Sequence, residues 1–272
     1  MYWHLLSLDA PTVAVLWAWS LARIEPTRPS LLSIAVLGIG TWLIYVADRL
    51  LDARSPDHPV LRDRHFFHAR HRTALLRSSA IAGALLLGLI LIMPAAARRD
   101  DTVLFAASML YFASVHLPRL RVRRWFPREA AVGILFALAT AVPAWSQTTF
   151  VDEHLAEPVL LFAGLCTLNC IAIEAWERPV GSLPSAAVPV LAVCIAAASI
   201  ALPILPSHHV PGEVMLAAAS FISAILLFGL NGFFRFFPEH NPGERARFLL
   251  VLRVAADATL LTPICFLLPW HL

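Results

Sequence analysis

Apolar residues run along this chain in long blocks separated by short polar connections, and most blocks have the length that crosses a bilayer. Read in windows of roughly 20 residues, the pattern predicts helical spans near 8 to 23, 31 to 50, 74 to 95, 102 to 117, 130 to 147, 157 to 175, 184 to 204, 213 to 234 and 248 to 268. The expected fold is therefore all-α: a polytopic membrane protein of about nine transmembrane helices around a central cavity. The longest polar stretch, Asp52 to Arg72, is too short and too charged to link soluble domains, so residues 1–272 are read as a single transmembrane domain.

Composition sharpens this picture. Hydrophobic residues make up 59% of the chain and charged ones 14%, against about a quarter charged in soluble domains. Every basic side chain counted in the net charge of +3 is an arginine, so orientation is read from where the arginines lie. The connections after spans two, four, six and eight hold Arg49 to Arg77, then Arg119, Arg121, Arg123, Arg124 and Arg128, then Arg178, then Arg235, Arg245, Arg247 and Arg253. The opposite side has Arg23, Arg28, Arg98 and Arg99. The positive-inside rule then puts the amino terminus and the ends of the even-numbered spans in the cytoplasm, as expected for a bacterial inner membrane. The first nine residues lack a positive leader and no small-residue cleavage site follows the first apolar run, so the first helix is expected to remain. Cys166, Cys170, Cys194 and Cys265 fall inside spans and are read as small apolar residues without redox function.

Chemistry concentrates at the ends of two spans. Asp48 and Asp52 stand one turn apart after the apolar run Leu31 to Val46, where carboxylates are costly and functional by default. Thr41, Tyr45, Asp48 and Asp52 share one stripe, and Cys166, Cys170, Glu174 and Glu177 share another on span six. Acids ending spans two and six, with arginine-bearing loops after spans four and eight, suggest a duplication with a period of four helices. Two such acidic ends facing across a cavity would suit magnesium, and nearby arginines would grip phosphates in bidentate fashion. The bland alternative is a structural ion network, with Asp48 on Arg49 or a loop arginine and Glu177 on Arg178. Arg119 and Arg121 are read either as lipid-headgroup anchors or as phosphate contacts. His65, His68 and His71 are expected on a cytoplasmic lid helix, with a shared metal the lesser reading. Arg253 and Asp257, four residues apart in span nine, are expected to pair with each other. Asn231 is expected to make an interhelical hydrogen bond.

These residues resemble the UbiA-type intramembrane prenyltransferase superfamily. Its members typically read Asn-Asp-x-x-Asp-Arg-x-x-Asp at the end of the second helix; here Asp48, Arg49 and Asp52 match the second half, while Ile44 and Tyr45 stand at the Asn and first Asp positions. In the second motif Asn169, Glu177 and Arg178 keep the frame, and Cys170 replaces an Asp. The resemblance implies Mg2+-dependent transfer of a prenyl group from a prenyl diphosphate to a small aromatic or lipid-soluble acceptor. It implies Asp48, Asp52 and Glu177 as catalytic metal ligands, with Tyr45, Arg49, Arg119, Arg121, Asn169 and Arg178 as substrate contacts; Glu174, outside the usual frame, is read as a further metal ligand that restores a carboxylate from one turn away. Membrane lipids are the other expected partners; nucleic acid is not one. Two rivals remain: a relative that keeps the helical shell as a lipid-binding or assembly protein, and a small transporter using the same acids.

Overall fold

The computed structural model describes residues 2–24, 30–52, 63–116, 127–146, 153–177, 186–204, 210–236 and 242–267. The regular elements among them are α-helices: α1 Tyr2–Leu5, α2 Asp9–Leu21, α3 Leu31–Asp52, α4 Asp63–Arg70, α5 Arg72–Ile92, α6 Ala95–His116, α7 Arg128–Trp145, α8 Glu153–Glu177, α9 Ala187–Ala201, α10 Pro211–Phe236, α11 Pro242–Thr259 and α12 Ile264–Leu267, with one short 3-10 turn after α9. Each apolar block of the sequence lies largely within a helix, and seven of the described helical stretches are long and apolar enough to cross a membrane.

Two blocks fall short, for different reasons. The first forms α2, whose 13 residues span about 20 Å at 1.5 Å per residue, against about 30 Å of hydrocarbon. The fourth lies in α6, whose opening turns carry Arg98, Arg99, Asp100 and Asp101. Two short helices, α1 and α4, have no counterpart among the apolar blocks, because neither contains a hydrophobic run.

The core is built on α8. In its apolar stretch 61% of the residues are buried, against 6% in that of α5, whose Ile81, Leu85, Leu91 and Ile92 are exposed and suited to face lipid. The close crossing of α7 and α8 depends on Gly133: a Cβ there would meet Thr167 Oγ1 and lie 2.8 Å from the Ala163 carbonyl oxygen. Trp17 of α2 stacks on Phe162 of α8 with ring centroids 4.0 Å apart. Its indole N–H donates to the Leu260 carbonyl at 2.8 Å, satisfying the one polar atom of a fully buried ring. Together these contacts draw α2, α7, α8 and the end of α11 around one another.

Candidate functional site

Where α2 begins, the chain makes a tight turn. Ser7 has φ of 60°, a left-handed conformation that costs a non-glycine residue about 1 kcal/mol or more. The turn is held by backbone bonds from Ser7 N to His4 O at 3.2 Å and from Leu8 N to Trp3 O at 3.0 Å. It brings His4, Ser7 and Asp9 to the inner face of α3.

There Arg49 meets them. Its guanidinium is buried and donates through Nη1 to His4 O at 2.6 Å and Ser7 Oγ at 2.8 Å, while Nη2 lies 3.4 Å from Asp9 Oδ2. The His4 Nδ1–H donates to Asp9 Oδ2 at 2.7 Å and stands 3.6 Å from Asp257 Oδ2 of α11. Asn169 of α8 donates through Nδ2 to Asp257 Oδ1 at 3.1 Å. One turn earlier in α11, Arg253 donates to Glu177 Oε1 at 2.9 Å. Burial alone would lower the His4 pKa, but the carboxylates of Asp257 and Asp9 outweigh it and the net direction is up. With His4 protonated, three cations (His4, Arg49, Arg253) face three carboxylates (Asp9, Asp257, Glu177), a balance that a low-dielectric interior requires.

Tyr45 of α3 adjoins this cluster, within electrostatic reach of Cys170, Asp9, Asp257 and Cys166. The stripes on α3 and α8 thus converge on a shared polar interior, through Tyr45 on one side and Cys166, Asn169 and Cys170 on the other. A cover lies over the turn. The His68 Nε2 of α4 is 3.3 Å from Ser7 Oγ, and burial, followed by the charges of Arg49, His4 and His71, pushes its pKa down to about 4.

Asp48 and Asp52 occupy a second, outer group. Both are half-buried at the end of α3, and both act electrostatically on Arg128 at the start of α7. The hydroxyl of Tyr111 lies 3.5 Å from the Arg128 carbonyl oxygen. Arg128 is also within electrostatic reach of Cys170. Two carboxylates one turn apart, beside a cation able to bind phosphate, fit a single magnesium. The opposite acidic end fits one less well, since Glu177 is engaged by Arg253 and Glu174 is exposed.

Several expectations are thereby redrawn. Arg253 and Asp257 do not pair with each other: Arg253 reaches outward to the end of α8, while Asp257, one turn deeper, meets Asn169 and His4. Arg49 turns away from Asp48 into the inner cluster, because adjacent helical positions differ by about 100°. Of the three histidines, His68 faces Ser7 and the His71 Nδ1–H donates to Phe67 O at 2.9 Å, while the side chain of His65 lies outside the described residues, as do Arg119, Arg121 and Arg178. Asn231 does make its interhelical bond, accepting from Trp176 Nε1 at 3.2 Å. The four cysteines are free thiols.

His4, Ser7 and Asp9 are the residues that sequence reasoning passes over. Asp9 carries the same signal as Asp48, an acid bordering an apolar run. No family model, curated protein or solved structure matches this chain.

Proposed function

We propose that this protein is a UbiA-like membrane prenyltransferase, transferring a prenyl group from a prenyl diphosphate to a small aromatic or lipid-soluble acceptor at the cytoplasmic face of a bacterial inner membrane. The observation that carries this reading is the position of Arg128, which faces Asp48 and Asp52 of the first motif and lies within reach of Cys170 of the second. In this reading Asp48 and Asp52 hold one magnesium, which when bound offsets charge on the departing diphosphate. Arg128 binds a phosphate oxygen, joined by Arg119, Arg121 and Arg178 from the loops. Tyr45 orients the substrate from the inner side. The reading requires that apolar helix surfaces shield the allylic cation from water, so that it meets the acceptor before it is hydrolysed.

The test is binding of farnesyl diphosphate to the protein in detergent micelles, with and without magnesium, followed by product analysis with aromatic acceptors. Binding is expected to require magnesium and to be lost in Asp48→Asn, Asp52→Asn and Arg128→Ala. Unchanged affinity in all three variants sinks the reading. One observation favours a second: Arg49 and Glu177, two of the motif residues, are engaged in ion pairs with Asp9 and Arg253. A family relative without turnover, serving as a lipid-binding or assembly protein, would bind the diphosphate and form no product.

A further inference from the structure

The inner cluster has a composition that an ion balance alone does not explain. His4 Nδ1, an oxygen of Asp9 and an oxygen of Asp257 all lie within 4.8 Å of one another, with Nδ1 2.7 Å from Asp9 Oδ2 and 3.6 Å from Asp257 Oδ2. Donor atoms about 2.1 Å from a shared ion stand about 3.0 to 3.5 Å from their neighbours. The two measured separations bracket that range, so shifts of a few tenths of an ångström bring the three donors around one ion. We propose that His4, Asp9 and Asp257 bind one divalent first-row transition ion, at a site separate from any magnesium at Asp48 and Asp52 and independent of whether the chain transfers prenyl groups.

A second observation points to a ligand. Asp9 Oδ1 and Asn169 Oδ1 are buried with no hydrogen-bond partner among the described residues. Asn169 is only 7% exposed, and its Nδ2 is bonded to Asp257, which brings the unsatisfied oxygen beside the ligand group. A buried polar atom without a partner is costly, so a ligand that takes it up is favoured. A half-turn of the amide about its last bond presents that oxygen as a fourth ligand. On the far side of the imidazole, His4 Nε2 is likewise without a partner.

The charges permit an ion. Arg49 makes its shortest bonds to neutral oxygens, His4 O and Ser7 Oγ, and reaches Asp9 only through Oδ2 at 3.4 Å, which leaves Asp9 Oδ1 to turn toward an ion. The proton that Asp9 and Asp257 favour on His4 is displaced on binding and leaves to solvent. Asp9 and Asp257 then face the dication, and with Arg49, Arg253 and Glu177 the cluster carries one net positive charge. One imidazole with carboxylate and amide oxygens selects manganese, iron, cobalt or zinc over magnesium. Its effect is to tie the turn before α2 to α11.

The experiment is a titration of the chelator-stripped full chain in detergent micelles with Mn2+, followed by electron paramagnetic resonance and spin-echo modulation. One Mn2+ per chain with 14N coupling from one imidazole is expected, distinct from any manganese that the Asp48 and Asp52 carboxylates take without such coupling. His4→Gln should abolish the coupling, and Asn169→Ala should weaken binding of the coupled ion about tenfold or more. Absence of 14N coupling in the unmodified chain overturns the proposal whether or not the variants fold. So does coupling that survives in His4→Gln. Failure of farnesyl diphosphate binding would leave this result unaffected.

Discussion

The last turn of α3 supplies two polar groups of opposite character. Asp48 and Asp52 look outward to Arg128 at the start of α7, whereas Arg49, between them in the sequence, looks inward to His4, Ser7 and Asp9. The inner group is assembled from four separate stretches of chain, and its hydrogen bonds hold the helices in register. Among the described residues the outer group draws on the end of α3 and the start of α7, and its carboxylates are half-buried. A cluster that ties distant segments together contributes to folding; one at a helix end is freer to serve a ligand.

Substitutions in the two groups should therefore part company. Arg49→Ala should cost most, about 3–5 kcal/mol, because it leaves Asp9 in the interior without its guanidinium. A large fall in the unfolding midpoint in detergent is the expected reading, and a wild-type midpoint would erase the distinction between the groups. Arg253→Ala should cost less, about 1.5–3 kcal/mol for a charged hydrogen bond at the edge of the cluster; the same melting assay ranks it. Asp48→Asn and Asp52→Asn should cost the least, about 1 kcal/mol or under, while removing magnesium-dependent diphosphate binding. If instead they melt the protein as Arg49→Ala does, the outer group is structural.

The two histidines flanking Ser7 sharpen the contrast through pH. An unfolded histidine takes up its proton near 6.5, but His68, lowered to about 4 in the fold, resists it. The stability this contributes is present above 6.5 and is lost as pH falls toward 4. The His4 shift has the opposite sign: its contribution is present below 6.5 and is lost as pH rises through the raised value. His68→Gln should flatten the acid limb of a midpoint-against-pH curve, where Arg49, His4 and His71 face the imidazole, and leave the alkaline limb in place.

Much of this architecture is legible in the chain, since a run of about 20 apolar residues has few options other than a spanning helix. Asp48 and Asp52 were equally legible, as acids ending such a run. His4, Ser7 and Asp9 were not, because the left-handed residue at position 7 breaks the helical period that would have put them on one face. Arg253 and Asp257 were misjudged for a related reason. Spacing of four says that two side chains share a face, but not that two other helices stand closer to each than they stand to one another. Such partners are set by helix packing, where Gly133 and Trp17 fix which surfaces meet.

The backbone of Ser7 also limits what evolution can write at that place. Glycine accepts the torsion but forfeits the hydroxyl that Arg49 and His68 address, and alanine is disfavoured on both counts. Asparagine and aspartate tolerate the left-handed torsion and offer an oxygen, at the expense of more volume in a fully enclosed spot. Natural variants of this chain should therefore show a narrow alphabet at position 7, confined to short hydrogen-bonding residues, beside freely interchangeable aliphatic ones on the outward surface of α5.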